Sequence, residues 1–395
     1  MQNQTPPFDP HALEAFVALV GRHAWARRID AIAHGISGPR HGLLMKQRHA
    51  IELAIERLRG PLDRVATGAE RQAASLARDA VMLWRTLPAD GRARLQAKLR
   101  EALCGDGTLV PLFHALHTAR AQRARSFKVE FAGLEQGTAF DLLLTRGAYT
   151  AEVACDVVSA EHGRLVQRAA WYGLADRVEA DARAWLATHP GSHLLNMTLP
   201  LGLRDDAALA HLHASIRELL QSGARRSDAA GTVLRLDALG RGAGTNVTHL
   251  LAALRARYGP EAHLAATTSR DGVFAMACRA GRIDEVATVV RHRLAEIAPS
   301  RLSGRRPGIL AMLLDDTDRD EWRGLRERLE LEGEARQFLA NKSSRGIIAV
   351  TCTPRFELLG MGAEDGMARG ELRFRNPAHP QAMVPALAPA VLSSV

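Results

Sequence analysis

The residues of this 395-residue chain whose types and spacing could do chemistry are three acids and a later group of two arginines and a glutamine. Carboxylate oxygens are hard ligands of the kind that Mg²⁺ prefers. A metal ion held by such oxygens polarises a phosphate and activates water. The residues are, in chain order, Asp141, Glu152, Asp156, Arg164, Gln167 and Arg168.

Two adjoining segments carry the acids. The first, Phe140 to Leu144, is apolar apart from Asp141, and the second, Tyr149 to Val158, alternates in the manner of a half-buried strand. Because side chains alternate between the faces of a strand, Glu152 and Asp156 share one face and the other face is apolar. The pattern predicts a β-hairpin that brings the acids to one side of a sheet.

A polar turn, Ser159 to Gly163, follows the hairpin, and a helix is predicted from Gly163 to Leu186. This order of strand with Asp, strand with spaced acids and basic helix resembles the core of the PD-(D/E)XK nuclease superfamily, the restriction-endonuclease-like fold. Members of that superfamily hold a divalent metal between an Asp on one strand and the acid of an acid-x-Lys triplet on the next.

The resemblance implies roles for all six residues. Asp141 and Glu152 would be the ligands of Mg²⁺ in an active site. Asp156 would join them as a third catalytic acid. The basic helix would contact nucleic acid through Arg164, Gln167 and Arg168.

The triplet departs from the superfamily pattern. A triplet that begins at Glu152 ends at Ala154, and one that begins at Ala154 reads Ala154-Cys155-Asp156, so the Lys is absent from both. The second resembles a common version of the motif, with Cys at its centre and a Ser-x-x-x-Gly-Arg turn afterwards. Either a side chain of the following helix replaces the Lys, or the site has lost its chemistry and kept its fold.

Composition is that of a soluble globular protein, with 47% hydrophobic and 24% charged residues. Lys and Arg outnumber Asp and Glu by 52 to 43, a net charge of +9, which favours polyanionic partners. Almost all the basic residues are Arg, which genomic base composition also produces. No apolar run approaches the roughly 20 residues of a membrane span, and the first residues lack a signal-peptide pattern. The sequence therefore predicts a cytoplasmic protein with no membrane contact.

The predicted fold class is α/β, a restriction-endonuclease-like mixed sheet flanked by helices and preceded by an all-helical N-terminal domain. Near-continuous apolar runs at Ile309–Leu314 and Gly346–Cys352 predict strands covered on both faces. Gly105 to Gly107 is the predicted boundary. The predicted parts are a helical domain at 1–104, a nuclease-like domain with a C-terminal α/β extension at 105–385, and a flexible tail at 386–395.

The function that these features predict is that of a nuclease-like protein that interacts with nucleic acid, DNA rather than RNA. Its metal-dependent phosphodiesterase site would be degenerate or altered, and Mg²⁺ would be the cofactor of an active form. The alternative is a non-catalytic scaffold that uses the nuclease-like core to bind a partner. In that case the N-terminal helices would mediate contact with another protein or with a second copy of the chain.

Overall fold

The computed structural model describes residues 10–36, 39–61, 64–229, 232–239, 246–259, 261–360 and 370–393. The chain forms two compact units. Unit 1 comprises Met1–His34, Lys46–His162 and Ala287–Val395, and unit 2 comprises Gly35–Met45 and Gly163–Val286. Each unit contains one mixed sheet with helices, so the protein belongs to the α/β class, as predicted.

The described part of the chain contains sixteen α-helices, eleven strands and two short 3₁₀ helices. The helices are α1 Pro10–Val20, α2 Arg22–Gly35, α3 Pro39–Arg48, α4 Ala50–Arg59, α5 Gly68–Thr86, α6 Ala89–Ala102, α7 Val110–Ala124, α8 Ala132–Glu135, α9 Arg168–Thr188, α10 Asp206–Ser222, α11 Val247–Tyr258, α12 Val286–Arg301, α13 Arg319–Glu327, α14 Glu330–Leu339, α15 Arg355–Leu358 and α16 Ala388–Val391. The strands are β1 Lys128–Glu130, β2 Leu142–Arg146, β3 Tyr149–Ser159, β4 Gly191–Leu199, β5 Arg226–Ala229, β6 Thr232–Ala238, β7 His263–Ser269, β8 Gly272–Ala280, β9 Gly308–Asp315, β10 Ile347–Pro354 and β11 Leu372–Arg375. The 3₁₀ helices are Ala160–His162 and Lys342–Ser344.

The sheet of unit 1 has the order β1-β2-β3-β9-β10-β11. Strands β1, β2 and β3 pair antiparallel, β9 lies parallel to both β3 and β10, and β11 closes the other edge antiparallel. Every residue of β9 and β10 is buried, which explains their continuous apolar sequences. The predicted hairpin and both predicted apolar strands are confirmed.

Helices precede this sheet and cover it. In α1, Leu13, Phe16, Val17 and Val20 recur at helical spacing and are buried in the core shared with β2, β3 and β9. The all-helical character of the described N-terminal residues is confirmed. Because these helices share one core with the sheet, the predicted boundary at residue 105 does not coincide with a boundary between the two units.

Unit 2 contains the five-stranded sheet β5-β6-β4-β8-β7, in which β4 and β8 are parallel and the other pairs antiparallel. Helices α9 and α10 contribute to one buried cluster against this sheet and α11 to another. The segment Gly35–Met45, distant in sequence, belongs to this unit. Arg40 binds it to α9 and β7, through Asp176 and Glu179 and through the carbonyl oxygen of Ala266.

The chain enters and leaves unit 2 at adjoining points. The backbone N–H of Glu285 donates to the carbonyl oxygen of Gly163 at 2.8 Å. A Cβ at Gly163 would lie 2.6 Å from the backbone of Val286, so only glycine permits this approach. Unit 2 is therefore inserted between β3 and the remainder of α12, and α12 leads on to β9.

Two sequence expectations are corrected by the described residues. The helix predicted from Gly163 begins at Arg168, with Gln167 as its N-cap residue, and belongs to the inserted unit. The segment predicted to be a flexible tail contains α16, whose Ala390 and Val391 are buried. No helix in the described ranges has both the length and the apolar character needed to cross a bilayer.

Candidate functional site

A cavity of about 330 Å³ opens beside the beginning of β2 in unit 1. Strand β3, helices α6 and α7 and the end of α12 surround it. Its polar lining combines two cationic and three acidic side chains with a buried thiol. These are Lys98, Glu101, Asp141, Cys155, Asp156 and Arg301.

The backbone around Asp141 is held by the hairpin and by α8. The N–H of Asp141 donates to the carbonyl oxygen of Val153 at 2.9 Å, which extends the pairing one residue beyond β2. On the other side, the N–H of Gly133 donates to the carbonyl oxygen of Asp141. A Cβ at Gly133 would lie 2.9 Å from the carbonyl oxygen of Phe140, so glycine allows α8 this close approach.

The carboxylate of Asp141 has partners on both oxygens. Oδ1 lies 3.3 Å from Nζ of Lys98. Oδ2 accepts a hydrogen bond from Arg301 at 2.7 Å and another from the backbone N–H of Cys155 at 2.8 Å. The hydrogen bond to Cys155 places the triplet Ala154-Cys155-Asp156 beside Asp141. The first position of this triplet, which the acid-x-Lys pattern gives to an acid, is alanine here.

Glu152 lies in a different environment from Asp141. It is fully buried (0% exposed) and does not line the cavity. Its Oε2 accepts from the backbone N–H of Ser303 at 2.8 Å, and its Oε1 accepts from the Ser303 hydroxyl at 2.5 Å and from Arg306 at 3.3 Å. Glu152 therefore anchors the turn that follows α12, which we call the basic turn and define as residues 303–307.

Asp156 lines the cavity but is paired with α12. Both of its oxygens accept hydrogen bonds from the guanidinium of Arg293, and this interaction raises the pKa of Arg293 above its usual value. The pair connects β3 to the helix that crosses over to β9.

The predicted metal ligands do not fit a shared Mg²⁺ site as they are arranged. A divalent ion requires several oxygens directed at one point, whereas Asp141 and Glu152 each bind their own basic and N–H partners. Within the residues that the structure describes, no group of three or more His, Cys, Asp or Glu side chains could hold a metal ion.

The three residues predicted to contact nucleic acid lie in unit 2, whereas Asp141 lies in unit 1. Arg164 is buried, with 4% exposure, in the segment before α9. Gln167 donates its backbone N–H to the carbonyl oxygen of Leu203. Burial lowers the pKa of His263 to about 3, and the charges of Arg164 and Arg168 add to this effect. The side chain of Arg164 is therefore part of the interior of unit 2.

Sequence reasoning missed Lys98 and Arg301. Both reach Asp141 from helices that lie far away in the sequence, and no local motif connects them to it. One feature of the sequence could have drawn attention to Lys98. Only four of the 52 basic residues are lysine, so a lysine is unusual in this arginine-rich sequence.

Helix α7 places two histidines over the face of the unit 1 sheet. Burial lowers the pKa of His117 to about 4 and also lowers the pKa of His114. His114 is neutral with its proton on Nε2 if this nitrogen donates to the carbonyl oxygen of Ala311, 2.9 Å away. Burial thus favours the neutral form of both imidazoles, and acid converts this form to the charged one.

We expect acid to destabilise the protein through His117. Its folded pKa lies below the unfolded value of 6.5, so the unfolded chain binds the proton first and stability falls as pH decreases from about 6.5 to 4. Each such histidine contributes a slope of up to about 1.4 kcal/mol per pH unit. The slope of the unfolding free energy against pH is measured by urea unfolding of wild type and His117→Gln at several pH values between about 4 and 6.5. An identical slope in the two proteins would contradict the assignment.

The comparisons with known proteins give no relative for this chain. No protein-family model matches it, and neither a curated protein nor a solved structure does so.

Proposed function

We propose that this protein binds nucleic acid through a nuclease-like core whose metal site has been altered. The observation that carries the proposal is the position of Asp141. It stands directly before β2, beside the strand that carries the degenerate triplet, and it lines a solvent-accessible cavity together with two cationic side chains.

The topology of unit 1 supports the proposal. Apart from the short α8 between β1 and β2, the order is a helix, three antiparallel strands, a crossover helix and a strand parallel to the third, which are α7, β1, β2, β3, α12 and β9. The chain of unit 2 from Gly163 to Val286 is inserted before the crossover helix. The resemblance to the PD-(D/E)XK superfamily implies a helix, a strand and a hairpin in this order, and α7, β1, β2 and β3 agree with it. The altered chemistry is supported by Ala154 beside Asp141 and by the separate interactions of Glu152.

The basic turn supplies charge for contacts with phosphates. Arg305 and Arg306 are both exposed, next to the buried anchor that Glu152 provides. Arg305 has no side-chain partner among the described residues. Because one end of the turn is held by Ser303, its arginines are presented on an ordered segment.

We expect the wild-type protein to bind labelled DNA at 50 mM salt and to bind it more weakly at 200 mM salt, since phosphate contacts release counterions. Fluorescence anisotropy with single-stranded DNA, duplex DNA and RNA measures this. Arg305→Ala is expected to reduce the slope of log affinity against log salt by about 0.9 for duplex DNA, the value for one phosphate contact. Arg27→Ala, which removes another exposed arginine of unit 1, is the matched control.

Absence of binding at 50 mM salt would overturn the proposal and favour the partner-binding scaffold. An equal slope of log affinity against log salt for Arg305→Ala and Arg27→Ala would show that Arg305 does not contact a phosphate. We also expect no cleavage of these nucleic acids in Mg²⁺ or Mn²⁺. Cleavage by wild type that is lost in Asp141→Ala would instead identify an active metal-dependent nuclease.

A further inference from the structure

We propose that Lys98 and Arg301 form a phosphate-binding site that requires no metal ion. The inference rests on the proposed function and names the group that the cavity would bind. The observation behind it is that two cationic side chains contact the carboxylate of one acid, Asp141.

Lys98 and Arg301 keep hydrogen-bond donors beyond those that contact Asp141 and Ala139. The ammonium group of Lys98 has three N–H donors, and one of them contacts Asp141. The guanidinium of Arg301 has five and uses one for Asp141 and another for the carbonyl oxygen of Ala139. Neither side chain has a further partner among the described residues, so both retain donors for a ligand in the cavity that they line.

Asp141 also positions the two cationic side chains. Lys98 contacts Oδ1 of Asp141 and Arg301 contacts Oδ2, so one buried carboxylate orients both cations. The Lys98 side chain is 49% exposed and that of Arg301 is 30% exposed, and both are therefore accessible from solvent. N–H donors of two cationic groups that are oriented in this way are suited to the oxygens of a phosphate.

The charged side chains of the cavity lining, together with Arg293, are three cations and three acids. Asp156 is neutralised by Arg293, and Asp141 offsets one of the two cations. Glu101, one turn after Lys98 in α6, is the remaining acid in the lining and has no ion pair among the described residues. Glu101 opposes an anion, so its removal provides a test with the opposite sign.

The experiment measures binding of a labelled single-stranded DNA in EDTA and in Mg²⁺ at equal ionic strength. We expect wild type to bind as tightly in EDTA as in Mg²⁺. Lys98→Gln is expected to weaken binding about fivefold, and Glu101→Gln to strengthen it about twofold, because each changes one charge at the site. Lys128→Ala, which removes an exposed lysine of β1 in the same unit, should leave affinity unchanged. Lys98 and Glu101 are both exposed, so these variants are expected to fold.

A second readout separates this inference from the proposed function. Inorganic phosphate in EDTA should raise the thermal midpoint of wild type more than that of Lys98→Gln. If the midpoints respond in this way but wild type binds no nucleic acid, the phosphate site stands and the proposed function fails. If wild type binds DNA and Lys98→Gln binds it equally well, the inference is wrong and the proposed function stands. A requirement for Mg²⁺ in binding would also overturn the inference.

Discussion

Replacing Arg40 with alanine is expected to lower the free energy of unfolding by about 3 kcal/mol, the scale for removing one partner of a buried ion pair. The side chain is 17% exposed and contacts Asp176 at 3.1 Å, Glu179 at 2.6 Å and the carbonyl oxygen of Ala266 at 2.8 Å. Truncation leaves Asp176 without its guanidinium partner in a mostly buried position. It also removes the contacts that the Arg40 side chain makes between the segment Gly35–Met45 and the rest of unit 2.

Urea unfolding measures the decrease in the free energy of unfolding. We expect hydrogen exchange to become faster in α9 and β7, the elements that Arg40 contacts. The matched control is Arg183→Ala, which also removes a partner of Glu179 but from an exposed position, and it should change stability by less than about 0.5 kcal/mol. Arg40→Lys should fall between wild type and Arg40→Ala, because an ammonium retains the charge and loses the planar fork. Equal stability of Arg40→Ala and the control would show that this network does not stabilise unit 2.

Replacing Glu152 with alanine is expected to cost about 3 kcal/mol as well, because a fully buried carboxylate with three hydrogen bonds is removed. The backbone N–H and hydroxyl of Ser303 would lose their acceptor, and the basic turn would lose its anchor. Chemical denaturation measures the stability of the variant. Exchange of the backbone amide of Ser303 reports on the turn itself.

Glu130→Ala is the control for this prediction. Glu130 also lies on a strand of the unit 1 sheet, and its partner, Lys128, is 73% exposed, so the variant should stay within about 0.5 kcal/mol of wild type. A stable Glu152→Ala protein with normal exchange at Ser303 would contradict the structural role. Glu152 would then again be available as a metal ligand.

The strands of unit 1 could be predicted because their patterns are local. Continuous apolar residues in Ile309–Leu314 indicated a strand covered on both faces, and this strand is buried throughout. Alternation in Tyr149–Val158 indicated a strand correctly but did not indicate its burial, because Ala151 to Cys155 are all buried. The inserted unit could not be recognised in the same way. Beyond Ser159 the sequence continues to alternate strands and helices, and no local pattern marks the point at which a second sheet begins.

The candidate site was predicted only in part, and the reason is again the range of the contacts. Asp141 was identified from its place in a hairpin, and it lines a cavity. Its cationic partners depend on tertiary packing, since Lys98 is 43 positions and Arg301 is 160 positions away in the sequence. The partners of Glu152 are also distant, so its spacing from Asp141 gave no information on whether the two carboxylates share a ligand.

The hydrogen bond between Glu285 and Gly163 has a consequence for the order of folding. The entropic penalty of bringing two strands together grows with the length of free chain between them. Once the chain from Gly163 to Val286 is ordered, its two ends are already adjacent, and the free connection from β3 to β9 shrinks to a short linker and one helix. Parallel pairing of β3 with β9 should therefore be faster after the inserted sheet forms than before it.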